Sequence, residues 1–182
     1  MQIPKNLLAA GSLSPALKDF VFGVKAPAPC RFFCGRDMEL DALHEMLCSQ
    51  GKVFLQGIAG IGKSELAKAY AKRYSREYTN IIYFTYSGDL KRDIANLDFA
   101  DDVDDNETMD ARFSRHHRLL RRLRDDSLLI IDNFNTVTTR DSLLDVVLNY
   151  HCRIIFTTRS KFDNYASVNL EEIADTETLI SL

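Results

Sequence analysis

The chain has 182 residues, of which 46% are hydrophobic and 27% charged, with 11 Phe and 7 Tyr; it can bury one sizeable core, which excludes a disordered chain. Its 23 Lys and Arg against 26 Asp and Glu leave a net charge of −3, so bulk charge gives no argument for nucleic acid or an acidic membrane surface. No apolar run approaches the roughly 18 residues of a membrane span, and the opening MQIPKNLLAAGSLSPALKDF lacks the basic start and continuous apolar stretch of a secretory leader, so a cytoplasmic location is expected.

In residues 1–30, Gly11, Pro15, Gly23, Pro27 and Pro29 interrupt any periodicity, and the segment is expected to be an arm leading into the domain. Residues 38–47 (MELDALHEML) place Met38, Leu40, Leu43, Met46 and Leu47 at helical spacing, with Gly51 as a stop. Residues 52–56 (KVFLQ) form a short strand. A helix over 63–77 carries Leu66, Ala67, Tyr70, Ala71 and Tyr74 on one face, and 80–86 (NIIYFTY) is a β-branched and aromatic strand.

Between 98 and 110 lie seven acids, and six arginines follow them up to Arg124. A Ca²⁺ loop would set oxygen ligands at alternating positions around a glycine, and no glycine is present here. The segment is expected to be an acidic loop running into a helix with an arginine-rich polar face, Phe113, His117, Leu120 and Leu123 turning inward. Nearby carboxylates would compete with phosphate for those arginines, so nucleic acid is not an expected partner. Residues 127–131 (SLLII) give a third strand, 143–148 a helix, and 152–157 (CRIIFT) a fourth strand. Strands that are apolar throughout and separated by helices imply a mostly parallel sheet covered on both faces, a three-layer α/β/α fold.

Cys30, Cys34, Cys48 and Cys152 are too sparse for a disulfide scaffold and are expected to be reduced. Cys30, Cys34, His44 and Cys48 give C-x3-C-x9-H-x3-C, ligand types that zinc accepts. The first spacing is unusual and His44 and Cys48 fit an amphipathic helix, so packing is favoured over a metal.

The chemistry concentrates where four of the eight glycines fall between positions 51 and 62. Gly57-Ile58-Ala59-Gly60-Ile61-Gly62-Lys63-Ser64 fits G-x-x-x-x-G-K-[ST], with a strand running in and a helix running out. Such a turn aims backbone N–H groups and a helix N-terminus at one point, where a polyphosphate is stabilised. Glycines leave room for the phosphates to approach. Lys63 would reach the β- and γ-phosphates, the Ser64 hydroxyl would ligate Mg²⁺, and Glu65 completes the cofactor-binding segment. Further on, Leu128-Leu129-Ile130-Ile131-Asp132 is a buried strand ending in a carboxylate. Strand C-terminal ends converge on the ligand crevice of a parallel sheet, so Asp132 would stand beside the loop and hold Mg²⁺ through water.

With these motifs in place, the chain resembles the STAND class of signal-transduction P-loop NTPases, which includes NB-ARC proteins and NOD-like receptors. Phe32-Phe33-Cys34-Gly35-Arg36-Asp37 with Glu39 is similar to the class's h-h-x-G-R-E opening motif, and Arg153-Ile154-Ile155-Phe156-Thr157-Thr158-Arg159 to its sensor strand ending in T-T-R. The resemblance covers about residues 30–170. It implies that Phe33 and Arg36 lie near the adenine of bound ATP or ADP and that Arg159 senses the γ-phosphate. Arg159 would follow a buried strand adjacent to that of Asp132, so its guanidinium would face the same crevice. Residues after Asp132 are Asn133-Phe134-Asn135, so the glutamate that polarises water in many P-loop ATPases is missing, and with it a contribution of typically 10²–10⁴-fold. Slow hydrolysis is expected.

The expected organisation is an arm over 1–30, a nucleotide-binding domain over 31–170, and over 171–182 the start of a helical subdomain. The chain is expected to be a fragment whose helical, winged-helix and sensor regions, and any activation-linked homo-oligomer, lie beyond it. The expected function is an ATP/ADP-binding switch using Mg²⁺. The alternatives are a turnover phosphotransferase such as a small-molecule kinase, or the ATPase module of a transcription regulator. No G-specific N-K-x-D motif occurs, and the preference for adenine rests on the resemblance.

Overall fold

A computed structural model of the chain describes residues 26–99, 107–135 and 141–172. The arm up to residue 25, the acidic stretch at 100–106 and the C-terminal residues 173–182 lie outside the described residues. Helix α1 (Asp37–Gln50) begins with Asp37 and Glu39 in its first turn and stops at Gly51, whose φ of 75° lets its N–H return to the Leu47 carbonyl. That left-handed cap is cheap for glycine and costly for a side chain. β1 (Lys52–Gln56), α2 (Lys63–Arg73) and a short 3₁₀ turn (Ser75–Glu77) lead into β2 (Asn80–Thr85). Then come α3 (Leu90–Ala95), α4 (Met109–Arg122), β3 (Ser127–Asp132), α5 (Leu144–Leu148), β4 (Arg153–Thr158) and β5 (Ser167–Asn169).

The five strands stand in the order β2-β3-β4-β1-β5, and every pairing is parallel. Alternation along each strand divides the core in two. Phe54, Ile82, Leu129, Ile131, Ile154 and Phe156 pack beneath α3, α4 and α5. Val53, Leu55, Tyr83, Leu128, Ile130 and Ile155 face α1 and α2. Burial on both faces is why the strands carry apolar residues without a polar alternate. The three-layer α/β/α arrangement expected from the sequence is the one observed. No helix among the described residues is long and apolar enough to cross a membrane.

Several details depart from the expected elements. The α2 helix ends at Arg73 and gives way to the 3₁₀ turn, because Thr79 must already pair with the Asp126 carbonyl at the start of the sheet. Helix α3 was not expected: six residues are too few to show a period, and it is held by Asp89, whose side chain accepts from the Lys91 and Arg92 amides. Its presence changes which face of α4 is buried. His116, not His117, is fully buried, with Nδ1 against the Ile94 carbonyl of α3 at 2.8 Å. Phe113 and His117 sit half-buried beside it, and Met38, counted on the apolar face of α1, is exposed. Strand β5 also went unforeseen. Val168 and Asn169 belong to the sheet edge beside β1.

The Phe54 ring is fully buried between the Phe156 and Phe162 rings, at centroid distances of 4.6 and 4.3 Å. Phe54→Ala is expected to lower unfolding free energy by about 3–5 kcal/mol, read from urea melts; a loss below about 1 kcal/mol would contradict this packing.

Candidate functional site

The turn between β1 and α2 is shaped by glycine at two decisive places. Gly57 has φ 153°, and a Cβ there would lie 3.0 Å from both the Ile61 Cγ2 atom and the Leu170 carbonyl oxygen. The chain leaving β5 passes too close for any side chain at this position. Gly62 caps α2 with φ 98°, and no side chain bonds the first-turn amides, which leaves them open to an anion. The Lys63 ammonium folds back over its own loop, donating to the carbonyls of Gly57 (2.9 Å) and Ile58 (2.7 Å).

Strand parity brings the second motif to the first. Leu128, Ile130 and Asp132 share the face that α2 covers, so Asp132, at the end of β3, meets the first turn of α2. Its carboxylate is 7% exposed and accepts three hydroxyl bonds: Ser64 Oγ at 2.7 Å, Thr157 Oγ1 at 2.5 Å and Tyr83 Oη at 2.8 Å. Burial, then the bond to Asp132, pushes the Tyr83 phenol well above its ordinary value, so it stays a donor. Because the Ser64 proton is committed to Asp132, the lone pairs of Ser64 Oγ remain free for a cation. Hydroxyl and carboxylate oxygens held together are the hard donor set that suits Mg²⁺.

A cavity of about 420 Å³ opens over this contact, lined by Ala59, Gly60, Gly62, Lys63, Ser64, Glu65, Asn133, Thr157 and Arg159. Burial pushes the Lys63 ammonium below its ordinary value, the Arg159 charge adds to that, and Asp132 opposes it. Two cations thus share one cavity whose nearby carboxylates are already engaged, Asp132 by three hydroxyls and Glu65 by the Cys30 amide and Lys68. A polyanion relieves that repulsion, so the residues fit a nucleotide polyphosphate with its metal.

The expected site residues fall into two groups. Lys63, Ser64, Asp132 and Arg159 come together around this cavity. Phe33 and Arg36 line a separate one of about 560 Å³ beside α1 and α2. Arg36 is buried and donates to Glu39 Oε1 (2.6 Å), the Glu171 carbonyl (2.8 Å) and the Ile61 carbonyl (3.2 Å), so it ties the glycine loop to the chain leaving β5. Phe33 packs half-buried on the α1–α2 core, and Ile58 is exposed at the loop tip. Glu65 lines the polyphosphate-sized cavity, but its carboxylate is engaged by the Cys30 amide and Lys68. Of the zinc-type residues, Cys30 and Cys34 line the Arg36 cavity while His44 and Cys48 pair on α1. No cluster of three or more His, Cys, Asp or Glu suited to a metal occurs among the described residues.

Three contributors escaped the sequence reading. Tyr83 sits mid-strand, and only the partnering of β2 with β3 reveals its reach to Asp132. Asn133 has φ 59°, lines the cavity and donates its amide to Thr157 Oγ1 at 2.8 Å. Asn135 donates to the Asn133 carboxamide and accepts the Arg159 amide at 2.7 Å, which fastens the end of β4 to the end of β3. A left-handed Asn directly after a strand-end Asp is a local signal, since Asn tolerates that conformation.

Tyr83→Phe keeps the ring in the core and removes one bond to a buried carboxylate, so stability is expected to fall by about 1.5–3 kcal/mol. Urea melts read the loss, and an unchanged midpoint would show that the Tyr83–Asp132 bond is not formed.

The NB-ARC domain family model matches residues 36–179. No curated protein matches the chain.

Proposed function

The chain belongs to the NB-ARC domain family, a nucleotide-binding signalling NTPase module of the STAND class, and from that premise we propose that it is an ATP/ADP switch acting in the cytoplasm, with a nucleotide-binding unit over residues 31–170. The observation that carries this reading is the cavity shared by Lys63 and Arg159 above the Ser64–Asp132 contact. In this reading the first-turn amides of α2 and Lys63 hold the β- and γ-phosphates, giving up the loop carbonyls that Lys63 now contacts. Ser64 and Asp132 hold Mg²⁺, which neutralises phosphate charge when bound. Phe33 and Arg36 flank the base.

Hydrolysis is slow in this account. Asn133 stands at the cavity where a general base would serve, and a carboxamide cannot take a proton from water near neutral pH. A protein that keeps its nucleotide suits a two-state switch better than rapid turnover. Arg159 reads the γ-phosphate. Its backbone is fixed through Asn135 to the strand that carries Asp132, so a shift at the phosphate end would be felt at both strand ends. Phosphate transfer to a small acceptor would instead favour the kinase reading.

Two variants test the reading by calorimetry. Lys63→Ala loses a charge-assisted contact worth about 1.5–3 kcal/mol, a weakening of roughly ten- to a hundred-fold for ADP and ATP; affinity within about twofold of the parent would refute the assignment. Arg159→Ala is expected to cut the ATP-over-ADP preference about five- to thirty-fold. An unchanged ratio in a parent that prefers ATP would remove Arg159 from the site.

A further inference from the structure

The three bonds to the Asp132 carboxylate are not equivalent. Ser64 from α2 and Thr157 from β4 both donate to Oδ1, whereas Tyr83 from β2 donates to Oδ2 and is the one donor to that oxygen among the described residues. The directions are fixed, because an ionised carboxylate only accepts and each hydroxyl has one proton to give. Ser64 and Thr157 line the polyphosphate-sized cavity, while Tyr83 is 8% exposed and reaches the carboxylate from the β2 side of the sheet. The register explains the reach. Thr85 stands opposite Asp132 and Tyr83 opposite Ile130, so Tyr83 lies on the diagonal to Asp132, a separation of about 7–8 Å across a ladder that only a long side chain bridges.

We propose that Tyr83 is a positioning residue for the divalent cation: by holding Oδ2 it locks the Asp132 carboxylate in the orientation in which Oδ1 keeps the Ser64 proton and the Ser64 lone pairs face the cation. The proposal rests on the nucleotide-and-metal reading above and assigns to this site a residue that touches neither ligand.

The argument is one of geometry. Two hydroxyls on Oδ1 fix that oxygen but leave the carboxylate free to swing about it. A bond to Oδ2 from the opposite side fixes the second oxygen, and two fixed oxygens define the plane of the group. A hydroxyl follows its acceptor, so a carboxylate that swings carries the Ser64 proton with it and turns the Ser64 lone pairs off the cation. Groups bonded behind a metal's own ligands orient them in this way, and their loss weakens metal binding by about ten- to a hundred-fold. Without the metal this orientation has no bearing on the phosphates, which the first-turn amides and Lys63 hold. The signature of the role is therefore a loss confined to metal-dependent binding.

The test titrates the whole chain with ATP by calorimetry, once in saturating Mg²⁺ and once in EDTA, for the parent, Tyr83→Phe, Asp132→Ala and the double variant. The ratio of the two affinities is the readout, since a general loss of packing lowers both. Tyr83→Phe is expected to cut the Mg²⁺-dependent gain about tenfold, while its affinity in EDTA stays within about twofold of the parent. In the Asp132→Ala background the same substitution is expected to change neither affinity, because its effect passes through that carboxylate. If Tyr83→Phe does not fold, Thr157→Val, which removes the hydroxyl on the other flank of Asp132, carries the same expectation. Equal losses with and without Mg²⁺, an unchanged Mg²⁺ gain, or a further loss in the Asp132→Ala background would each overturn the proposal. A parent whose ATP affinity is indifferent to Mg²⁺ would overturn the nucleotide-and-metal reading itself, and the proposal with it.

Discussion

The contact between Ser64 on the first turn of α2 and Asp132 at the end of β3 is the constraint on which the rest of the site depends. The two residues are far apart in sequence, and β1, the strand that leads into α2, is not a neighbour of β3, since β4 lies between them. They meet because parity along β3 puts Asp132 on the face that α2 covers, and because the glycine loop returns α2 across that face at the strand ends. A shift of one residue in β3 would send the carboxylate into the opposite core, beneath α4 and α5. The all-parallel register of the sheet therefore also fixes the chemistry.

The glycine loop is held from several sides. Lys63 bonds its carbonyls from within, Leu170 closes over Gly57, and Arg36 reaches Ile61 from the start of α1 while also holding the Glu171 carbonyl. One buried guanidinium thus joins the segment before α1, the loop and the chain after β5. A ligand that draws Lys63 off its loop carbonyls would be felt along this tie, because a buried guanidinium that loses one acceptor must find another or leave the interior. On the other side, Arg159 and Lys63 repel each other across the cavity, and Asn135 keeps Arg159 from retreating by fixing its backbone. The arrangement stores a preference for polyanions in fixed charges, where reorganisation costs least.

Much of the architecture was legible in the sequence because apolar strands and an uncommon glycine pattern each have few physical explanations. The fold class, the four long strands, and α1, α2, α4 and α5 follow from periodicity. Helix α3 and strand β5 did not, since six and three residues carry no period and β5 exists only through its partner β1. The burial of His116 depends on the α3 carbonyl it meets, so it could not be seen without α3. In the site, the glycine loop and Asp132 announce themselves. Tyr83, Asn133 and Asn135 do not, because their roles come from which strand ends lie side by side. Arg36 was legible as a motif residue, but its triple tie through the interior was not.

The central claim is that this cavity takes a nucleotide together with a divalent cation. The direct measurement is calorimetric titration of the folded chain, stripped of bound small molecules, with ATP and with ADP in the presence and absence of Mg²⁺. The account predicts saturable binding of one nucleotide per chain, with ATP binding strengthened by the metal. Folded protein that binds neither nucleotide under any of these conditions would contradict it.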